Sequence, residues 1–195
     1  LKSFNSNGFT IDDGVGINEN NDPHVSWNWK AGGSGSTNTD GSVNSTVSAN
    51  ATAGFSIVEY NTAGSGTQTV GHGLGSAPTF IITKPAQNTE SWYVYIPTGV
   101  SSSLRLNTTA AAISSTPYAG TPTSSVFSIN NGIIGGYSDV ISYCFTDVKG
   151  YSKFGSYVAN SDSSTFIYTG MKPAFLMVKQ TDGGGGNMNW GMFDN

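Results

Sequence analysis

The chain is short of charge. Lys and Arg number 8 and Asp and Glu 12 in 195 residues, so only 10% of positions are charged, against about 25% in ordinary soluble domains. The basic residues are few and scattered. The clustered positive surface that a phosphate backbone requires is missing, and nucleic acid is not an expected partner. One cysteine, Cys144, rules out an intrachain disulfide. No apolar run approaches the ~18 residues of a membrane-spanning helix, so no membrane insertion is expected. There is no initiator Met, and no basic segment leads into an apolar one as a signal peptide would. The abrupt start, 1-LKSFNSNGF-9, reads as a piece cut from a longer protein.

Catalytic signatures are also scarce. Histidine occurs twice, at His24 and His72, and no GxSxG elbow accompanies either one. The Ser–His or Cys–His pairing that nucleophilic catalysis needs is therefore not visible. Cys144 has no basic neighbour in sequence and reads as a small, semi-buried thiol. The run 182-DGGGG-186 lacks the Lys of a phosphate-binding loop and reads as a hairpin loop. Most of the acids sit in turn-like stretches, where Asp bonds its own backbone, and no pair stands out as the two carboxylates of glycoside hydrolysis. Transition-metal spacing is absent. The expectation is no catalytic residue, no enzyme and no cofactor. Calcium is the one metal left open, because 12-DDGVGINENND-22 offers hard oxygen donors, though not at EF-hand spacing.

What the chain does have is glycine, 26 copies, and aromatics at 12%. Low charge with many aromatics is not the composition of a disordered segment. Apolar residues alternate at period two in short bursts: 55-FSIVEY-60, 79-TFIIT-83, 92-WYVY-95, 126-VFSI-129, 140-VISYCF-145 and 174-AFLMV-178. Gly, Asn, Asp and Pro clusters separate them. This pattern predicts many short strands joined by turns. The stretch 109-TAAAIS-114 reads as a turn or strand end. The stretches 31–45 and 114–125 read as loops.

The bursts repeat. The run 77-APTFIITK-84 lies over 172-KPAFLMVK-179 without a gap, and 92-WYVY-95 over 190-WGMF-193. Farther up, 25-VSWNW-29 matches 141-ISYCF-145 in character, and 9-FTIDDG-14 matches 127-FSINNG-132. The order is A, B, C, A, B, with A at 1–31 and 126–147, B at 52–95 and 154–193, and C at 103–113. Such a repeat is the mark of a unit used more than once. The predicted fold is all-β: one antiparallel β-sandwich over 1–195, lectin-like or jelly-roll-like, with an internal duplication. The order allows two consecutive, incomplete domains or one sandwich in which A from one copy completes B from the next; the second is expected, because a cut domain would expose strand edges and apolar faces.

The paired tryptophans of 25-VSWNWKAGG-33 are either a sugar-stacking platform or the buried face of a strand. Alternation places Val25, Trp27 and Trp29 on one face, and the second copy swaps them for Ile141, Tyr143 and Phe145, keeping bulk. The expectation is core, with Trp27→Ala costing about 3–5 kcal/mol. Pro78 and Pro173 are expected to open strands, Lys84 and Lys179 to close them, and Trp92 and Trp190 to be core. Residues that differ between copies are the better functional candidates. Tyr93, opposite Gly191 in the alignment, is a candidate carbohydrate-stacking residue. His72, opposite Thr169, and Tyr118, in the 117-PYAG-120 loop, are weaker candidates for the same carbohydrate-binding role.

Taken in order, 25-VSWNWKAGG-33, 54-GFSIVEY-60, 72-HGLGSAPTFIITK-84, 92-WYVY-95, 104-LRLNTTAAA-112, 142-SYCFTDVKGYSKFGSY-157, 168-YTGMKPAFLMVK-179 and 189-NWGMFDN-195 resemble a repeated β-rich domain of tail and appendage proteins of bacteriophages, especially those of marine bacteria. Asn28 departs from the small residue or Cys that members carry between the two aromatics. The resemblance implies a virion-associated structural and adhesive protein, of tail-fibre or other appendage type, that contributes to host-surface glycan attachment. It implies other virion proteins as partners, a host glycan as ligand and a homo-oligomer, with a trimer expected. It carries over no catalytic residue. The alternatives are a purely architectural virion spacer or decoration protein and, behind it, a polysaccharide-degrading hydrolase.

Overall fold

The computed structural model describes residues 1–13, 16–18, 20–62, 64, 66–87, 89–97, 102–161, 164–182 and 189–194. These residues form an all-β, antiparallel architecture with a single turn of helix. The strands are β1 (Ser3–Asn5), β2 (Gly8–Thr10), β3 (Ser36–Asn38), β4 (Ser45–Asn50), β5 (Phe55–Tyr60), β6 (Thr67–Gly71), β7 (Phe80–Pro85), β8 (Tyr93–Tyr95), β9 (Ser103–Arg105), β10 (Val126–Asn130), β11 (Val140–Phe145), β12 (Phe175–Val178) and β13 (Gly191–Asp194). The helical turn, α1 (Asn131–Ile134), follows β10, with the Asn130 side chain accepting from the Gly132 N–H.

The main layer is a seven-stranded sheet in the order β3-β4-β5-β11-β7-β8-β9. Its centre is a late strand, β11, inserted between two early ones. Cys144 faces Ser56 on one side and Ile81 on the other. The second layer is the β6–β10 ribbon, in which Phe127 lies opposite Val70. It packs with α1 on one face of the large sheet, giving a sandwich of unequal layers. β4 turns into β5 through residues 51–54, where the Asn50 side chain accepts from the Ala53 N–H at 3.1 Å. Gly54 closes that turn at φ +65°, and a Cβ there would meet Val148 and Thr146 side chains at 2.6 and 2.7 Å, so glycine is required.

Alternation explains which side chains fill the interior. On β5, β11 and β7 the inward residues are Ser56, Val58 and Tyr60, then Val140, Ser142 and Cys144, then Ile81 and Thr83. They meet Val70, Phe127, Ile129 and Ile134 from the second layer. Each large apolar side chain taken fully from water contributes about 1.5–3 kcal/mol. The small inward residues of β11 sit in a core that also holds tyrosines, Tyr60, Tyr93 and Tyr118 among them. Their hydroxyls need partners there. The Ser142 Oγ lies 3.0 Å from the Tyr60 hydroxyl and 2.7 Å from Thr83 Oγ1. Thr83 Oγ1 is 3.0 Å from the Tyr118 hydroxyl.

Several expectations are corrected. The aromatic face of β11 (Ile141, Tyr143, Phe145) is the half-covered outer face, and Val140, Ser142 and Cys144 form the core side. Bulk alone misassigned the faces, because the partner layer supplies the bulk. Cys144 is fully buried rather than semi-buried. Val25–Trp29 is not a strand: no strand covers these positions, and Val25, Trp27 and Trp29 keep 64%, 42% and 47% of their surface exposed. The slot between β5 and β7 that such a strand would enter already holds β11. The predicted loop 31–45 contains β3 and the first residue of β4. Ser36 and Thr37 face solvent and Ser45 is buried, bonding the Gly71 carbonyl; strands built from such small polar residues look like loop by composition. Pro78 and Pro173 each precede their strand by two residues instead of opening it. Trp92 and Trp190 are half-buried, not core.

Candidate functional site

None of the three candidate carbohydrate residues is an exposed platform. Tyr93, on β8, points inward and is 3% exposed. Its hydroxyl donates to Glu90 Oε2 at 3.2 Å, and the Arg105 guanidinium carbon sits 5.6 Å from its ring centroid. Burial, and secondarily the Glu90 carboxylate, raises its pKa. Tyr118 is 3% exposed, pairs with Ile129 in an isolated bridge, and places its hydroxyl 3.2 Å from the Ile81 carbonyl and 3.1 Å from the Tyr93 carbonyl. The stretch 114–125 therefore tucks into the sandwich instead of projecting. His72 has no exposed surface. Its Nδ1 accepts from the Leu74 N–H at 3.2 Å, so Nε2 carries the proton and donates to the Thr123 carbonyl, also at 3.2 Å. Burial lowers its pKa. All three residues hold loops to the core, and a sugar ring cannot reach their faces.

A cluster of buried and half-buried aromatics lies on the outer face of the large sheet. Phe145 is their hub: Phe55 lies 4.8 Å away between ring centroids, Phe80 5.6 Å, Phe154 5.6 Å and Trp29 6.0 Å. Phe154 stacks flat on Phe80 at 5.3 Å. The Asp147 carboxylate sets that position. It accepts the Phe154 N–H at 2.9 Å and pairs with Lys153, which turns the chain back over the sheet after β11. Phe175 of β12 joins through Trp27 and Trp29, at 5.5 and 6.3 Å.

Two clefts are present among the described residues. The first, about 530 Å³, is lined by Leu106, Asn107, Thr108, Thr109, Asn189 and Trp190. Trp190 is held by its indole N–H, which donates to the Arg105 carbonyl at 3.0 Å, and its inner side packs with the Val94–Leu104 cluster. Asn107 is fixed by accepting the Trp92 N–H at 3.1 Å. The Thr108 hydroxyl is buried with no hydrogen-bond partner, which is costly unless something else supplies one. An indole beside amide and hydroxyl groups, with no charged side chain lining it, is the chemistry that sugar C–H faces and hydroxyls meet. The second cleft, about 430 Å³, is lined by Thr37, Asn44, Ser45, Thr46, Glu59, Tyr60, Asn61, Ser138 and Asp139. It brings two carboxylates, Glu59 and Asp139, to one groove. The sequence reading missed both clefts. Trp190 had been assigned to the core, and the Thr108 signal exists only once burial is known.

The calcium expectation rested on 12–22, of which residues 14, 15 and 19 lie outside the described residues. Among the described ones, the Asp12 carboxylate accepts the Asp13 N–H at 3.0 Å and its carbonyl accepts the Asn18 side chain at 2.9 Å. Among the described residues no group of three or more His, Cys, Asp or Glu side chains comes together. Of the predicted hairpin loop 182-DGGGG-186, residues 183–186 lie outside the described residues.

Compared with known proteins, residues 1–195 match a family model described as a domain of unknown function (DUF7483). No curated protein and no solved structure matches the chain.

Proposed function

This chain belongs to the DUF7483 family, a domain of unknown function, and on that premise we propose that it is a structural and adhesive subunit of a bacteriophage appendage that holds a host-surface glycan in the Trp190 cleft. The observation that carries the reading is the cleft itself: Trp190, its indole fixed on the Arg105 carbonyl, lines with Asn107, Thr109 and Asn189 a space of about 530 Å³. The resemblance to phage appendage domains supplies the setting, and the low charge of the chain, 10% of its residues, suits contact with neutral polysaccharide. Weak binding per cleft suffices where copies are linked, because each engaged cleft raises the effective concentration at the next.

The test is binding of the bead-multimerised chain to host-surface polysaccharide. Thr109 and Asn189 are exposed, so Thr109→Ala and Asn189→Ala are expected to leave the fold intact. Together they are expected to lower affinity at least tenfold. Polysaccharide binding untouched by these changes, or no saturable binding at all, rejects the cleft as the site. A second reading, polysaccharide cleavage, is favoured by Glu59 and Asp139 lining one groove. It requires release of reducing ends that Glu59→Gln abolishes.

A further inference from the structure

The two hairpins that the sequence repeat aligns also pair in the same register. In β7–β8, Ile81 faces Tyr95, Ile82 faces Val94 and Thr83 faces Tyr93. In β12–β13, Leu176 faces Phe193, Met177 faces Met192 and Val178 faces Gly191. Laying 80–84 over 175–179 and 92–95 over 190–193 carries each pair onto the other without a shift. The connecting loops differ in length, so loop geometry did not impose the common register.

The two hairpins differ in what lies on the far edge. β7 is flanked by β8 and by β11, with Tyr143 opposite Ile82 and Phe145 opposite Phe80. β12 has β13 on one side and, among the described residues, no strand on the other. The aligned counterpart of β11's 141-ISYCF-145 is 25-VSWNW-29, which is exposed and outside any ladder. One chain thus carries an open strand edge and a spare strand of matching type. Its own spare strand is not free to fill the edge. Lys30 and Gly33 are tied to β4 through their carbonyls, which accept from Asn50 at 3.0 Å and Ser48 at 2.6 Å. Trp29 meanwhile rests on Phe145. This anchoring holds 25–29 over the first sheet, touching Phe175 by its ring without forming a backbone ladder.

We infer that Val25–Trp29 of one copy adds as an antiparallel strand to the free edge of β12 in a second copy, with Ser26 opposite Val178, Trp27 opposite Met177, Asn28 opposite Leu176 and Trp29 opposite Phe175. The backbone ladder supplies affinity and the alternating side chains supply register. The Trp29–Phe175 contact then repeats the Phe145–Phe80 contact of the first sheet. Because the donor and the acceptor are different surfaces, the contact is head-to-tail. It propagates as a fibre unless rotation between copies closes a ring. It also covers an edge that would otherwise invite indiscriminate pairing. The inference does not depend on glycan binding.

The test uses full chains that each carry one new cysteine. A Ser26→Cys chain mixed with a Val178→Cys chain under mild oxidation is expected to give a disulfide-linked dimer, as is Asn28→Cys mixed with Leu176→Cys. Ser26→Cys with Leu176→Cys, out of register by two residues, is expected to link at least tenfold less, because its Cα separation exceeds the reach of a disulfide. Cys144 is fully buried, so the parent chain serves as the blank. A chain carrying both Ser26→Cys and Val178→Cys is expected to form a ladder of multimers. Linkage within that double-cysteine chain as a monomer, equal linkage of the out-of-register pair, or no linkage of either matched pair overturns the inference.

Discussion

Ser142 is one of four hydroxyls linked across the core, with Tyr60, Thr83 and Tyr118, and removing it should cost more than one hydrogen bond. It has no exposed surface and bridges Tyr60 of β5 to Thr83 of β7. In Ser142→Ala, Thr83 keeps its contact with Tyr118, but the buried Tyr60 phenol loses its 3.0 Å partner and keeps only its weaker interaction with Thr83. A lost bond costs about 0.5–1.5 kcal/mol, and a poorly partnered buried hydroxyl a further ~1–3 kcal/mol. The expected destabilisation is about 2–3 kcal/mol. At about 2–4 °C per kcal/mol for a chain of this size, Tm should fall by roughly 5–10 °C. Tyr60→Phe alone should cost only about 1 kcal/mol, since Ser142 retains Thr83. The double variant has no such phenol and should cost about 2 kcal/mol, less than the sum of the single changes. Urea and thermal unfolding of the four proteins in this cycle give the coupling directly, provided the m-values agree. Additivity within about 0.5 kcal/mol would refute the reasoning.

Two further outcomes follow from burial. Phe127 is 1% exposed and Trp27 42%, so Phe127→Ala should lower stability by about 3–5 kcal/mol and Trp27→Ala by about 1 kcal/mol in dilute protein, where copies are apart. Equal losses in chemical denaturation would mean that 25–29 is a core strand after all. Burial also raises the pKa of Tyr60 and Tyr118 above the ordinary phenol value. Below about pH 10 both phenols are protonated in the folded and unfolded chains, and their contribution is constant. Above it the unfolded chain releases two protons that the folded chain keeps, so stability should fall by up to about 1.4 kcal/mol per pH unit for each tyrosine. Tyr60→Phe should remove one tyrosine's share of that slope, and an unchanged slope would count against burial as the cause.

Much of the fold was legible in the residue order. The bursts 55-FSIVEY-60 and 140-VISYCF-145 are β5 and β11 to the residue, because period-two alternation bounded by turn residues has few other readings. β3 and β4 escaped notice because strands built from Ser, Thr and Asn carry no apolar alternation strong enough to separate them from loop. The candidate site was less legible. Tyr93 and His72 stand out by an unlike counterpart in the other copy and Tyr118 by its loop, but an unlike counterpart also marks residues that fill a gap peculiar to one layer. All three do so. The Trp190 cleft combines residues from the β9 end and the β13 start, far apart in sequence, and nothing local announces that they meet.

The sequence by itself determined the class of structure and the alternation within each strand. These follow from composition and from a two-residue period that the backbone enforces. Only the tertiary structure decided which face of each strand is core, since a sheet has two faces and the partner layer chooses between them. It also decided which copy of the aromatic strand enters the central slot. β11 occupies the place between β5 and β7, one slot admits one strand, and 25-VSWNW-29 is left outside with its tryptophans half in water.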